Sequence, residues 1–120
     1  ESDHAYFNLG NALRKSGRTK RAIEAYRQAL DLNPGHSKAW NNLAGVYITT
    51  GEYDEAVRAL QQTLELDAQN VSAYKNLGVI HYRRGRPDSA RDMFRRVLEI
   101  QPGDRFAQQW LQKLDREVGQ

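Results

Sequence analysis

A 34-residue repeat constrains the fold of this chain more than any other feature of its sequence. Sliding the 120-residue sequence against itself aligns three repeats, 3–36, 37–70 and 71–104, and leaves residues 105–120 over. A fixed period of this length is typical of solenoids, in which each unit buries its apolar face against its neighbours. The aligned positions hold one glycine, one alanine and two leucines per repeat: Gly17, Gly51, Gly85; Ala22, Ala56, Ala90; Leu9, Leu43, Leu77; and Leu30, Leu64, Leu98.

Each repeat carries the pattern of two antiparallel helices. In repeat 2, Trp40, Leu43, Ala44 and Tyr47 fall at the i, i+3, i+4 and i+7 positions of one helical face. Gly51 follows them, and glycine commonly ends a helix, so a second helix is expected to start after it. Repeats 1 and 3 have the same arrangement, and we call the two helices of each repeat its first and second helix.

The repeated residues resemble the tetratricopeptide repeat, a 34-residue helix pair with a Trp, Leu-Gly, Tyr, Ala, Phe and Pro pattern. The resemblance spans residues 3–104 and implies an all-α, right-handed α-solenoid of three helix-turn-helix repeats. Ala68 stands where the family usually has proline. The matching residues are Tyr6, Leu9, Gly10, Ala22, Tyr26 and Pro34 in repeat 1; Trp40, Leu43, Ala44, Tyr47, Ala56 and Leu60 in repeat 2; and Tyr74, Leu77, Gly78, Ala90, Phe94 and Pro102 in repeat 3.

Residues 105–118 are predicted to form a seventh, capping helix, so that 1–120 makes one domain. Ala107, Leu111 and Leu114 continue the apolar register of repeat 3. Gln108 and Gln112 replace residues that would pack against a following helix, which gives the polar outer face of a terminal cap. Asp104 is expected to be its N-cap. The beginning of the chain has no such signature, so further repeats before residue 1 remain open.

The sequence lacks the motifs of an enzyme or a cofactor site. It has no cysteine, and His4, His36 and His81 form no i, i+4 pair with a third ligand in register, so we expect no metal site. No glycine-rich phosphate loop follows a strand, and no serine, histidine and carboxylate share a consistent spacing. We therefore expect no catalysis, no cofactor and no small-molecule substrate. No apolar run is long enough for a membrane span, and a soluble, cytoplasmic location is favoured.

The resemblance implies that the first helices line a concave groove, on which asparagine recurs. Asn8, Asn42 and Asn76 occupy the same position of successive repeats, and Asn11 lies one helical turn from Asn8. An asparagine amide can donate to and accept from the backbone of an extended peptide at the same time. The alternative is that asparagine is simply the residue most common in the family at this position.

The predicted groove is basic and carries several apolar side chains. Its cations are Arg14, Lys15, Lys38, Lys75, Arg83, Lys113 and Arg116, and no acidic residue falls at the positions expected to line it. Such a lining attracts acidic partners, although an open surface also tolerates Lys and Arg without function. Phe7, Tyr82 and Trp110 are candidate anchors for apolar side chains, with the alternative that Trp110 packs into the cap.

One specialisation within the family is disfavoured by the sequence. Tetratricopeptide domains that clamp the C-terminal carboxylate of heat-shock chaperones use three cations and two asparagines. The matching positions here are Phe7, Asn11, Asn42, Ser72 and Asn76, so both asparagines are present and all three cations are absent. A terminal carboxylate would lose its charge-assisted partners.

These observations favour a non-catalytic protein–protein interaction module, monomeric, that binds an extended acidic peptide segment. One alternative is a structural spacer or a module that associates end to end within a longer array. Another is RNA binding through the arginines near Arg83, which is disfavoured because acidic residues alternate with them and the net charge of the chain is only +3. The predicted peptide-binding residues are Phe7, Asn8, Asn11, Lys38, Asn42, Lys75, Asn76, Tyr82, Arg83 and Trp110.

Overall fold

The computed structural model describes residues 2–118, and all regular secondary structure within that range is α-helical. The helices occur in the number and order that the repeat predicts, as three pairs followed by a seventh. None of these helices is long and apolar enough to cross a membrane. They are α1 (Asp3–Lys15), α2 (Thr19–Leu32), α3 (Ser37–Thr50), α4 (Tyr53–Leu66), α5 (Val71–Arg83), α6 (Pro87–Ile100) and α7 (Arg105–Val118).

Both ends of the first helices follow the repeat. Gly51, which ends α3, has a φ angle of 80°, a left-handed conformation that glycine adopts without a steric penalty. At the other end, side chains 34 residues apart cap α1, α3, α5 and α7 by accepting the backbone N–H three residues later. These N-caps are Ser2, His36, Asn70 and Asp104, with donor–acceptor distances of 3.1, 3.2, 2.8 and 2.9 Å, and the last confirms the capping role expected for Asp104.

The chain forms two compact units, the first ending at Ala68 and the second beginning at Gln69. In the first unit the α2 residue Tyr26 is completely buried against α1. Gly10 makes this packing possible, because a Cβ atom at that position would lie 2.6 Å from Cε1 of Tyr26. Ala44 and the smaller Leu60 occupy the equivalent pair of positions in repeat 2, and both are buried.

The second unit repeats this arrangement and adds the seventh helix. Phe94 of α6 is fully buried, and a Cβ atom on Gly78 of α5 would lie 2.5 Å from its ring. Ala107 and Leu114 of α7 are buried in the same apolar cluster, with Leu111 packed against it. The predicted docking of the seventh helix on the third repeat is therefore confirmed.

Leu9 is much more exposed than the leucines aligned with it in the other repeats. It is 45% exposed, whereas Leu43 at the same position of repeat 2 is only 3% exposed. Within the first unit α2 packs against α3 and covers Leu43. No described helix covers the corresponding side of α1.

Candidate functional site

Three side chains of the first unit converge in a hydrogen-bonded cluster. The Tyr26 hydroxyl donates to Oδ1 of Asn11 at 2.5 Å, and the Asn42 Nδ2 group donates to the same oxygen at 2.9 Å. Burial raises the pKa of Tyr26 above its ordinary value of 10.0, so its hydroxyl remains a donor at neutral pH. One carbonyl oxygen thus connects α1, α2 and α3.

This cluster leaves part of each asparagine amide outside its two hydrogen bonds. The Asn11 side chain contributes only its oxygen, so its NH₂ group can still donate to another molecule. The Asn42 side chain contributes one N–H, so its oxygen can still accept. Because both residues are half-buried rather than covered, a backbone lying over them could bond to either one.

A cationic surface adjoins the asparagines. The Arg14 guanidinium lies over Gly45 of α3, where a Cβ atom would come within 2.5 Å of Nη2. Gly45 therefore provides the space that Arg14 occupies. A surface cavity of about 590 Å³ is lined by Asn11, Ala12, Arg14 and Lys15, and the exposed side chains of Arg14 and Lys15 give it a positive wall.

The other predicted site residues of the first unit differ in exposure. Asn8 and Lys38 are exposed, as a binding surface requires. Phe7 is half-buried, because its ring packs on His36 with a centroid distance of 4.6 Å and on Tyr26 at 6.1 Å. Phe7 therefore packs the start of α1 against the rest of the unit and keeps part of its ring available for a ligand.

In the second unit, Lys75 is already engaged by a carboxylate. Its Nζ lies 2.6 Å from Oδ2 of Asp104 and 5.4 Å from the centre of the Phe106 ring. The Lys75 ammonium, together with the Ala107 backbone N–H, holds the pKa of Asp104 below its ordinary value of 3.8. An acidic ligand would have to compete with Asp104 for this cation.

A second carboxylate of the same unit, that of Glu117, contacts Tyr82. The Tyr82 hydroxyl donates to Oε1 of Glu117 at 2.5 Å, and the Lys113 Nζ lies 3.3 Å from that oxygen. The Tyr82 hydroxyl, followed by Lys113, holds the pKa of Glu117 below its ordinary value of 4.5. In the second unit, two carboxylates therefore contact side chains that the sequence predicts to line the groove.

Trp110 packs into the cap, which was the alternative to a role as a ligand anchor. Its ring stacks on Phe94 with a centroid distance of 5.1 Å and an interplanar angle of 12°, and it meets Tyr82 edge-on at 4.8 Å. Trp110 is nonetheless only half-buried. Of the other predicted site residues of this unit, Asn76 on α5 is half-buried and Arg83 at the end of α5 is exposed. Trp110 therefore completes the cap and still presents part of its surface.

Neither carboxylate is expected from the sequence to contact these groove residues, for a physical reason. The predicted capping role of Asp104 uses one oxygen only: Oδ1 accepts the Ala107 N–H, while Oδ2 forms an ion pair with Lys75. A carboxylate has two oxygens and can serve both partners. The spacing of Lys113 and Glu117 as an i, i+4 pair was the available signal for the second carboxylate.

A further cleft of about 760 Å³ lies between α2, α3 and α4, away from the asparagine cluster. Its walls mix cations and carboxylates, so it has no preference for one charge. Within it the Arg27 guanidinium donates to the Tyr47 hydroxyl at 2.6 Å. The residues that line it include Arg27, Asp31, Trp40, Tyr47, Glu55 and Arg58.

One group of described residues brings together the side-chain types of a metal site, although the sequence predicted none. Asp3, His4 and His36 offer ligand atoms that all lie within 4.8 Å of one another. No local spacing relates these residues, because the start of α1 and the N-cap of α3 come together only in the folded first unit. His81 is not part of this group; it is half-buried on α5 and burial lowers its pKa.

Comparison with protein families identifies the repeat. A family model described as "Tetratricopeptide repeat" matches residues 13–78 and 50–114, which together span most of the chain.

The curated relatives are much longer than the segments they share with this chain. It is 42% identical over 41 residues to "Protein O-mannosyl-transferase TMTC1" from Homo sapiens, a match of 34% of this chain and 5% of that protein. It is 38% identical over 47 residues to "Photosystem I assembly protein Ycf3" from Cyanophora paradoxa, a match of 39% of this chain and 27% of that protein.

Solved structures match over almost the whole chain. The "First TPR of Spaghetti (RPAP3) bound to HSP90 peptide SRMEEVD" has a TM-score of 0.93 and 22% identity, over 99% of this chain and 94% of that one. The second TPR domain of human RPAP3, in complex with "HSP70 peptide SGPTIEEVD", has a TM-score of 0.85 and 26% identity, over 95% and 98%. These likenesses confirm the predicted fold class, an all-α solenoid of such repeats.

Proposed function

The chain belongs to the tetratricopeptide repeat family, and from this premise we propose that it is a non-catalytic interaction module for an extended, acidic peptide segment. The observation that carries the proposal is the cluster of Tyr26, Asn11 and Asn42 beside the cations of the first unit. The cluster holds two amides in fixed positions, and the adjoining cavity supplies charge.

The asparagines suit the backbone of the peptide. An extended strand presents C=O and N–H groups alternately, and it pairs with any matched donor and acceptor whatever its side chains are. The NH₂ group of Asn11 and the oxygen of Asn42 form such a set. Because Tyr26 and the shared oxygen already hold both amides in place, little side-chain entropy is lost when a ligand binds.

The charges of the first unit suit acidic side chains. Arg14, Lys15 and Lys38 are exposed on the first helices of this unit. In the second unit Lys75 and Lys113 face Asp104 and Glu117 at short distance. We therefore assign most of the preference for acidic ligands to the first unit, where a carboxylate of the peptide meets less competition.

The structural neighbours support an acidic ligand while the sequence argues against a terminal one. The two RPAP3 domains are described with peptides that contain consecutive glutamates. At the positions that match the three cations of carboxylate-clamping members, this chain has Phe7, Ser72 and Asn76. We propose that its ligand is an internal acidic segment, for which the C-terminal carboxylate is unnecessary.

Half-buried rings supply the contacts for apolar side chains of the ligand. Phe7 lies at the start of α1, and in the second unit Tyr82 and Trp110 present the uncovered parts of their rings. Asn76 and Arg83 complete the set proposed for that unit. Aromatic residues of this kind are frequent anchors because they bury much area with few rotatable bonds.

Fluorescence anisotropy with a labelled acidic peptide and a neutral peptide of the same length tests the proposal. The double variant Arg14→Glu and Lys38→Glu should weaken acidic-peptide binding about tenfold or more, since hydrogen bonds to charged groups contribute about 1.5–3 kcal/mol each. The control, Lys20→Glu with Arg21→Glu, makes the same total charge change on α2, where both side chains are exposed. Equal losses in both proteins would contradict a specific site.

A second candidate function rests on the exposed apolar side of α1. Leu9 is 45% exposed and borders a small cavity of about 120 Å³ with Tyr6 and Leu13. This face supports association with another helix pair, including a second copy. Light scattering at several concentrations tests it: a mass that rises with concentration in the wild type and not in Leu9→Lys would favour self-association.

The structure also weakens the case for RNA. Arg91 lies 2.9 Å from a carboxylate oxygen of Asp88, and Arg96 lies 3.4 Å from one of Glu99. Paired guanidinium groups offer less net charge to a phosphate backbone. We do not propose nucleic-acid binding.

A further inference from the structure

Asp3, His4 and His36 form a compact set of metal-ligand side chains in the first unit. Asp3 and His4 begin α1, His36 is the N-cap of α3, and their ligand atoms lie within 4.8 Å of one another. The two imidazole rings already touch, with a centroid distance of 5.4 Å. We propose that these three residues bind a divalent transition-metal ion, with Zn²⁺ as the probe.

His36 carries a buried nitrogen that the protein itself does not use. Its Nδ1 accepts the backbone N–H of Ala39 at 3.2 Å, whereas its Nε2 is buried and has no hydrogen-bond partner among the described residues. A buried polar atom without a partner is unfavourable, and such atoms in native structures commonly indicate an ion or water. A metal ion bound at Nε2 would give this atom a partner, at the cost of the Ala39 hydrogen bond to Nδ1. The buried Nδ1 of His81 also has no partner, but His81 belongs to no such group of ligand side chains among the described residues.

The repeat provides an independent comparison, because capping alone does not explain a histidine at this position. The equivalent N-caps are Ser2, Asn70 and Asp104, all residues with the short oxygen acceptors that N-caps prefer. The ligand types coincide only once among the three equivalent sets for which the sequence has all three positions. The positions aligned with Asp3 and His4 hold Ser37 and Lys38, then Val71 and Ser72, then Arg105 and Phe106.

Asn33 positions the carboxylate of this set. Its Nδ2 donates to Oδ2 of Asp3 at 3.0 Å, while its Oδ1 accepts the backbone N–H of Gly35 at the same distance. The second bond determines which end of the amide faces Asp3. Metal-binding carboxylates are usually held by such a hydrogen bond, and here it leaves the other oxygen of Asp3 for an ion.

Two imidazole nitrogens and one carboxylate oxygen suit Zn²⁺, Ni²⁺ or Cu²⁺ better than Ca²⁺ or Mg²⁺. Tetrahedral Zn²⁺ has bonds of about 2.0–2.1 Å and ligand atoms roughly 3.3 Å apart, so the three side chains must draw together. His4 is exposed in the first turn of α1 and can turn inward. Three protein ligands leave a fourth position for water or for a side chain of a binding partner.

Binding at Nε2 would also move a proton. In the structure Nδ1 of His36 is an acceptor, so the proton of the neutral ring is on Nε2. A metal ion at Nε2 requires the proton on Nδ1, and the hydrogen bond from Ala39 is then lost. This exchange of tautomer is a signature that loose binding of Zn²⁺ elsewhere on the surface would not produce.

The test titrates the untagged chain with Zn²⁺ against a chromophoric chelator, and records long-range ¹H–¹⁵N spectra of the histidine rings. We expect one equivalent to bind, with changed ring-nitrogen shifts for His4 and His36 and a tautomer change at His36. The variants are His36→Asn, which keeps a capping side chain like that of Asn70, Asp3→Asn, and the control His81→Tyr, which copies Tyr47 at the same repeat position.

Removal of a ligand should weaken Zn²⁺ binding by tenfold or more in His36→Asn and Asp3→Asn, while His81→Tyr binds like the wild type. Equal affinity of the wild type and His36→Asn, or unchanged shifts of His4 and His36 on saturation, would overturn the proposal. Helical circular dichroism of each variant establishes that it is folded. Peptide binding measured in the presence of a chelator shows separately whether the interaction module functions without the ion.

Discussion

The Nζ atom of Lys75 lies 2.6 Å from Oδ2 of Asp104, so the side chain that caps α7 also neutralises a cation of α5. Both side chains are largely withdrawn from solvent, with exposures of 29% for Lys75 and 9% for Asp104. The ion pair therefore joins the last repeat to the helix that follows it. It also removes one of the cations expected to recruit acidic ligands.

Asp104→Asn should flatten the acid side of the stability profile. The folded pKa of Asp104 is below its ordinary value of 3.8, so its contribution to stability is present above that pH and is lost as the pH falls through the folded pKa. Asparagine keeps the cap and removes the titration. Urea unfolding from about pH 6 to about pH 2.5 measures the difference. Asp92→Asn, which removes another carboxylate, is the control. If the unfolding free energies of the wild type and Asp104→Asn fall in parallel as the pH is lowered, the role assigned to Asp104 is contradicted.

Gly10→Ala should destabilise the protein even though alanine is the better helix former. The new Cβ would lie 2.6 Å from Cε1 of Tyr26, a ring that is completely buried. Overpacking of this kind costs about 1–3 kcal/mol of unfolding free energy. Urea denaturation at neutral pH measures the loss. A stability equal to or above that of the wild type would show that α1 moves away without cost.

Gly45→Ala should have the opposite effect on stability and should weaken peptide binding. The atom that its Cβ meets is Nη2 of Arg14, the end of a flexible and exposed side chain. Alanine in place of glycine inside a helix gains about 0.5–1 kcal/mol, and Arg14 can swing into solvent. We expect higher stability with a loss of a few-fold in acidic-peptide affinity. Retained affinity would mean that the present position of Arg14 is unimportant for binding.

Tyr26→Phe should loosen the asparagine cluster. It removes the donor 2.5 Å from Asn11 Oδ1, and a hydrogen bond of this kind is worth about 0.5–1.5 kcal/mol. Tyr47→Phe is the matched comparison, since the Tyr47 hydroxyl bonds to Arg27, which is exposed and can return to water. Thermal unfolding should show the larger loss for Tyr26→Phe. The reverse order would indicate that the cluster contributes little.

The helices could be predicted from the sequence much more completely than the candidate site could. Asn8, Asn42 and Asn76 share one repeat position, and the sequence suggested that they act alike. In the fold Asn42 bonds to Asn11, while Asn8 is exposed. The position of Asn11 is taken by Gly45 in repeat 2, so the partner of Asn42 is not repeated. Residues at equivalent positions of a repeat have the same backbone conformation, but their side-chain contacts depend on the neighbouring residues.

Local sequence patterns were enough to predict the number, order and approximate ends of the helices, together with the turns at the glycines and the N-cap Asp104. These features depend on residues close together in the chain: the 3.6-residue period, the left-handed glycine and the short capping side chain. Which side chains meet depends instead on the packing of the helices. Lys75 with Asp104, Asn11 with Asn42, and His36 with the start of α1 are each about 30 residues apart. Their contacts depend on how one helix packs on another and on the rotamers that this packing allows, which no local pattern encodes.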